Sequence, residues 1–207
     1  AQDATPAAVP AALPLASPVA SVRDWASEYW VGSWATSPAT PWPKVAGFPD
    51  MAIALNDQTL RQIVRLSLGG DQIRVRLSNT YGDTPLNIGD AQVALRASEA
   101  TTEDESTYPV SFAGKPMVSI PPGATVLSDP IPLAVEPLQE LAVSLYLPDQ
   151  IEASTLHGFA LQTNYISQQG DHAAASDFPV ASTTESSAFL TGIDVAATPE
   201  SSAIVTL

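Results

Sequence analysis

Prolines are spread along most of this 207-residue chain, and their spacing constrains its fold more than any other feature. The sequence contains nineteen prolines, which leave little room for long helices. Proline interrupts a helix because it has no amide proton and its ring clashes with the preceding turn. No helix-length segment shows the apolar period of a helix. We therefore predict an all-β chain, an antiparallel β-sandwich resembling a jelly roll.

The clearest alternation of apolar and polar residues predicts a β-hairpin. Its two arms carry apolar residues on one face: Leu60, Val64, Leu66 and Leu68, then Ile73, Val75 and Leu77. Gly69-Gly70-Asp71 lies between the arms, and glycine supplies the positive φ angles of a tight turn. We expect an antiparallel pair with one buried face.

Further strands are expected where short β-favouring stretches are bounded by turn residues. They are 30–37, 86–95, 110–112, 117–120, 125–127, 131–135, 141–147, 158–166, 188–195 and 203–207. Two segments, 99–106 and 173–187, are polar or rich in small residues, and we predict loops there.

Acidic residues outnumber basic ones by 22 to eight, which gives a formal net charge of −14 at pH 7. Binding to nucleic acid needs clustered Lys and Arg to neutralise phosphates, so we expect no nucleic-acid partner. The absence of cysteine excludes thiol catalysis and thiolate-metal sites. No apolar run approaches the roughly 18 residues of a membrane span, so no span is expected.

The first 28 residues are rich in Ala and Pro, and we predict a flexible leader there. The chain opens Ala1-Gln2-Asp3 without an initiator Met, which is typical of a start left by signal-peptide removal. This favours a secreted or periplasmic protein. The alternative is a start trimmed in another way.

The residues needed for serine-based hydrolysis are not recognisable in the sequence. Such a site needs a nucleophilic Ser, a His that takes its proton and usually a carboxylate behind the His. Only His157 and His172 are present, no Gly-x-Ser-x-Gly or Asp-x-x-His occurs, and no Gly-Asp pair is followed by Ser. We assign no catalytic residue, and we expect His157 to be structural and Asp171-His172 to lie in a surface turn.

No metal or cofactor site is predicted. Two histidines fifteen residues apart on different predicted elements do not form a ligand cluster. No Asp-x-Asp-x-Asp calcium loop occurs either.

Half of the basic residues lie on the predicted hairpin: Arg61, Arg65, Arg74 and Arg76. The alternation places all four on its polar face. Because adjacent guanidinium groups repel each other, this face should meet carboxylates. We interpret it as a contact surface for another domain or an acidic ligand. The alternative is that Asp and Glu of the same domain neutralise it.

Aromatic residues offer a second possible binding surface. Trp42 and Tyr81 are the candidates for stacking on sugar rings, and Trp30 and Trp34 could act in the same way. The alternative is that these aromatic side chains are buried in the sandwich core.

Several stretches together resemble the N-terminal region of secreted two-domain SGNH (GDSL-type) serine esterases. They are WVGSWATSP at 30–38, QTLRQIVR at 58–65, RVRLSN at 74–79, LAVSLYLP at 141–148, LQTNY at 161–165 and GDH at 170–172. The match spans residues 29–207, and its motifs are specific collectively rather than singly.

The resemblance implies a β-sandwich that precedes an α/β catalytic domain. It implies a leader at 1–28, an accessory sandwich at 29–198, and at 199–207 the first strand of a separate catalytic domain. The apolar end, Ala203 to Leu207, looks like the strand that leads into the Gly-Asp-Ser block of that family. No residue of the family's catalytic set matches a position here.

The resemblance therefore predicts a non-catalytic part of an exported SGNH-type esterase or lipase. Its expected partner is its own catalytic domain or C-terminal fragment, and its expected substrate is an ester, including a glycan ester. The alternatives are a stand-alone carbohydrate-binding β-sandwich and a purely structural one.

Overall fold

The computed structural model describes residues 29–42 and 52–202, and these residues form seventeen strands and no helix. The strands are β1 (Tyr29–Ala35), β2 (Ala54–Leu55), β3 (Gln58–Arg65), β4 (Ile73–Ser78), β5 (Leu86–Ile88), β6 (Asp90–Ser98), β7 (Thr101–Thr102), β8 (Tyr108–Pro109), β9 (Val118–Ile120), β10 (Thr125–Leu127), β11 (Glu140–Leu147), β12 (Ile151–Glu152), β13 (Leu156–His157), β14 (Asn164–Gln169), β15 (Val180–Thr184), β16 (Ser187–Ala188) and β17 (Leu190–Ala197). The predicted leader and the predicted strand at 203–207 lie outside the described residues.

Two antiparallel sheets form a β-sandwich, which confirms the predicted fold class. The smaller sheet has four strands in the order β1–β17–β4–β10. The larger sheet follows the order β15–β14–β3–β11–β6–β7, and β8 also pairs with β6. Three two-stranded ribbons accompany them, formed by β2 with β12, β13 with β16, and β5 with β9.

Each sheet turns one set of alternate side chains into a shared apolar core. The smaller sheet contributes Ile73, Val75, Leu77, Ile193 and Val195, and the larger contributes Leu60, Val64, Val93, Leu141, Val143 and Leu145. A second, smaller cluster lies on the other face of the larger sheet and contains Ile63, Ala100, Ala142, Tyr165 and Phe178. The larger sheet is therefore covered on both faces around β3 and β11.

The predicted hairpin is wrong, because β3 and β4 do not pair with each other. β3 pairs with β11 and β14 in the larger sheet. β4 pairs with β17 and β10 in the smaller sheet. The chain between them crosses from one sheet to the other. Both strands still bury the predicted apolar residues, since they face the same core from opposite sides.

Gly69 and Gly70 allow a close approach of backbones and do not have the predicted positive φ angles. A Cβ atom on Gly69 would lie 2.5 Å from Val135 O, and one on Gly70 would overlap Ala196 O. Gly70 N donates to Val135 O at 2.9 Å, and Val135 N donates to Gly70 O at 2.8 Å. Two backbone hydrogen bonds thus join the crossing to the segment that contains Val135.

Most of the other predicted strands are present with shifted bounds. The stretch 125–127 coincides with β10, whereas the strand predicted at 158–166 begins later, as β14. The stretches 110–112 and 131–135 are not strands and pair only through isolated bridges at Phe112, Ile131 and Val135. The β-rich character was therefore easier to predict than the limits of each strand.

The two predicted loops are more ordered and more buried than expected. The segment 99–106 contains β7, and 173–187 contains β15, which forms an edge of the larger sheet. Ala100, Ala173 and Phe178 are all at most 5% exposed. We call 99–106 and 173–179 the cover segments, because they lie over the outer face of the larger sheet.

Candidate functional site

The four arginines of the predicted basic face lie on two sheets rather than on one surface. Arg61 and Arg65 belong to β3 in the larger sheet, and Arg74 and Arg76 belong to β4 in the smaller sheet. In each strand the neighbouring apolar residues enter the shared core, so the arginines point away from it. The prediction of a single basic face is therefore wrong.

Arg61 is 1% exposed and lies beneath the cover segments. It donates four hydrogen bonds of 2.7–3.1 Å, to Ser144 Oγ and to the carbonyl oxygens of Ala100, Ala173 and Ala175. Its guanidinium carbon lies 4.3 Å from the centre of the Phe178 ring. Burial lowers the pKa of Arg61 to about 10, so the side chain stays cationic at neutral pH. Arg61 thus joins β11 to both cover segments.

Arg65 is exposed and stands opposite Glu140 in the register of β3 and β11. The Glu140 carboxylate is paired elsewhere, because Arg96 Nη1 donates to its Oε2 at 2.6 Å. Arg65 makes no ion pair with another described residue. A partner could reach this side chain from solution.

Arg74 and Arg76 form a patch with Trp30 and Asp194 on the outer face of the smaller sheet, which we call the Trp30 patch. Arg76 Nη2 donates to both carboxylate oxygens of Asp194, at 3.0 and 2.8 Å. The Arg74 guanidinium carbon lies 3.9 Å from the centre of the Trp30 ring. Arg74 Nε and Trp30 Nε1 are buried and have no hydrogen-bond partner among the described residues. Arg76 is therefore neutralised within its own domain, as the alternative predicted. Two unpaired donors, Arg74 Nε and Trp30 Nε1, remain beside this ion pair.

Both histidines are hydrogen-bonded to backbone carbonyls. His157 Nδ1 lies 2.9 Å from Ser37 O, and His172 Nε2 lies 3.1 Å from Gln169 O. A carbonyl oxygen only accepts, so each of these ring nitrogens carries its proton. Neither ring is hydrogen-bonded to a serine hydroxyl or a carboxylate of the described residues.

Trp42 and Tyr81, the predicted stacking residues, are exposed by 65% and 44%. Trp42 contacts Phe159 edge to face, with ring centres 6.2 Å apart and ring planes at 74°. The Tyr81 amide donates to Thr155 Oγ1 at 3.1 Å. Both residues therefore border the segment 155–159, and neither is a core residue.

An open groove of about 540 Å³ lies beside Phe159, and we call it the Phe159 groove. Its lining residues come from segment 158–163 and from β14, β15 and their surroundings: Ala52, Ala54, Phe159, Thr163, Ile166, Ser182, Thr183, Thr184, Glu185 and Ser186. Sequence reasoning missed it because residues 173–187 read as a loop. The available signal was Val180 with Thr183 and Thr184, residue types that favour strands.

Residues 29–42 and 52–202 contain neither a cluster of metal-ligand side chains nor a membrane-spanning helix. No group of three or more His, Cys, Asp or Glu side chains there could hold a metal ion. Those residues also contain no helix with the length and apolar character needed to cross a bilayer.

The chain matches no protein-family model and no curated protein sequence. The SGNH resemblance therefore depends on the quoted sequence stretches alone.

Proposed function

We propose that this chain is the accessory β-sandwich of an exported SGNH-type ester hydrolase, and that the nucleophilic serine lies in a separate catalytic segment. The hydrogen bonding of the two histidines carries the proposal. In serine hydrolysis the base must face the serine hydroxyl while its other nitrogen is held in place. His157 and His172 each direct a ring proton at a backbone carbonyl, and no described serine hydroxyl meets either ring.

The arrangement of strands supports an accessory role next to a further segment of chain. β1 and β17 pair antiparallel, with Tyr29 opposite Ala197, so the sandwich begins and ends at one edge of the smaller sheet. Residues 198–202 leave β17 beside Tyr29 and share a pocket of about 590 Å³ with the Gly69–Gly70 crossing. A catalytic segment joined after residue 202 would lie close to this end.

The contact with that catalytic segment falls on Arg65 or on the Trp30 patch in this proposal. Arg61 directs its donors at its own domain, whereas Arg65 is exposed and Arg76 has a 40% exposed side chain. Arg74 is partly exposed, although its unpaired Nε is buried and out of a partner's reach. These groups suit a carboxylate-bearing surface, since guanidinium binds carboxylate in a bidentate way.

A fluorophosphonate probe, which labels activated serines covalently, tests the proposal. On the polypeptide isolated from its natural source, we expect the label on a Gly-Asp-Ser peptide outside these 207 residues. The 207-residue chain alone should remain unlabelled and should hydrolyse nitrophenyl acetate no faster than its His157→Ala/His172→Ala variant. Histidine-dependent hydrolysis by the chain alone would refute the accessory role.

A stand-alone carbohydrate-binding sandwich is the second candidate, and the exposure of Trp42 favours it. The Trp42 indole contacts Phe159 edge to face and still leaves much of its surface exposed to receive a sugar ring. Binding of a polysaccharide by the isolated chain would support this function, and it is compatible with an accessory role in a larger esterase. A purely structural sandwich would bind no polysaccharide.

A further inference from the structure

We propose that the Phe159 groove binds a neutral polysaccharide chain, with a sugar ring stacked on Phe159 and its hydroxyl groups hydrogen-bonded to β15. This inference deepens the second candidate function, and it does not depend on the esterase assignment. The groove volume of about 540 Å³ is within the usual size of small-ligand sites.

The aromatic wall of the groove is held in an uncommon backbone conformation. Phe159 has a φ of 54° and is 39% exposed. Bulky residues rarely adopt positive φ, and such positions persist only where neighbouring contacts enforce them. Ala160 N donates to Glu185 O at 2.8 Å, and the Trp42 ring contacts the Phe159 ring edge to face. These contacts keep an apolar ring face at the surface, where it can stack on the C–H face of a sugar.

Polar groups with unused hydrogen-bonding capacity line the groove together with that ring. The hydroxyls of Thr163 and Ser182 and the carboxylate of Glu185 make no side-chain hydrogen bond to the described residues, and Ser182 lies opposite Ile166 of the lining in the register of β14 and β15. Ile166 contributes an apolar side chain to the lining. A sugar presents hydroxyl groups around an apolar ring face, so this combination of groups matches it well.

The charge of the groove favours an uncharged ligand. Its lining contains one carboxylate, Glu185, and no basic residue. The whole chain carries a formal net charge of −14. Anionic polysaccharides and phosphate-bearing ligands would be repelled, whereas a neutral glucan, xylan or mannan would not.

Native gel electrophoresis of the 207-residue chain in soluble polysaccharides tests the inference. We expect mixed-linkage β-glucan, arabinoxylan or glucomannan to retard the chain, and polygalacturonate to leave its mobility unchanged. Phe159→Ala should weaken the retardation about tenfold or more, because aromatic anchors dominate binding. Ser182→Ala, which leaves the aromatic wall intact, should also weaken it.

Leu161→Ala is the matched control, because Leu161 lies in the same segment, is 83% exposed and does not line the groove. It should bind like the wild type. Retardation that persists undiminished in folded Phe159→Ala and in Ser182→Ala would overturn the groove as the site, while carbohydrate binding itself would stand. No retardation by any neutral polysaccharide would overturn both, and it would leave the fluorophosphonate experiment unaffected. Retardation by polygalacturonate alone would contradict the charge argument.

Discussion

Replacing Arg61 by leucine should lower the free energy of unfolding by about 3 kcal/mol. The substitution removes all four hydrogen bonds of the buried guanidinium and its contact with Phe178. Three backbone carbonyls of the cover segments then lose their donor, at about 1 kcal/mol each where water can partly replace it. Leucine avoids the cost of burying a charge, which keeps the loss at this lower value.

Urea unfolding followed by tryptophan fluorescence measures this loss, and hydrogen exchange at the Thr102 amide reports opening of the cover segments. That amide donates to Ser176 O at 3.2 Å, so it links the two segments directly. Arg65→Leu is the matched control, four residues along the same strand and exposed, and it should change stability by no more than about 0.5 kcal/mol. If Arg61→Leu cost less than about 1 kcal/mol without faster exchange at Thr102, the inferred role of Arg61 would be wrong.

Three further substitutions test other parts of the fold. Gln62→Leu should cost about 2–4 kcal/mol in urea unfolding, because the buried Gln62 amide pairs with both the N–H and the C=O of Ala188, at 2.8 and 3.0 Å. Asp129→Asn should cost about 1 kcal/mol at pH 7, since hydrogen bonds, first that from Gly114 N, hold the pKa of Asp129 below its usual value. The stabilisation by Asp129 is present above the unfolded pKa of about 3.9 and is lost as the pH falls through the lower folded value. The unfolding free energies of the wild type and of Asp129→Asn should therefore converge in acid. A difference between them that stays constant with pH would contradict this. Gly70→Ala should cost about 2 kcal/mol or more in thermal unfolding because its Cβ would overlap a neighbouring backbone, and an unchanged midpoint would show that the crossing can move.

The strand content of this protein could be predicted because alternation is a local property. Val75 and Leu77 alternate with arginines, and the structure buries the two apolar side chains as expected. The partner strand could not be predicted from the same residues. A strand that enters the opposite sheet presents its apolar side to the same core, so a hairpin and a crossing between sheets share one pattern.

The burial of the polar residues of β3 could be predicted even less well than its partner strand. Arg61 and Arg65 occupy the same face of β3, yet one is buried and the other exposed. The difference comes from the cover segments, which read as loops in the sequence and fold over Arg61. Gln62 lies on the opposite face of the strand and is fully buried because Ala188 satisfies its amide. Burial of these side chains depends on groups distant in sequence.

The stacking role of Trp42 and Tyr81 stays a prediction. Trp42 and Tyr81 are exposed, as a stacking role requires, but the sequence could not show that they border the same segment. Phe159 could not be identified from the sequence, because a single aromatic residue between glycine and alanine has no distinctive pattern. Its position beside β15 became visible only once that edge strand was in place.

The sequence by itself determined that the described chain is all-β, which apolar residues of β3 and β4 point inward, and that two histidines lack the neighbouring residues of a recognisable serine-hydrolase motif. Only the tertiary structure decided that β3 and β4 belong to opposite sheets, that Arg61 is enclosed, and that Phe159 and β15 form a groove. The physical reason is the range of the interactions. Side-chain alternation and the rigid φ of proline act within a few residues, whereas strand pairing and the hydrogen bonds of buried polar groups join residues up to a hundred or more positions apart.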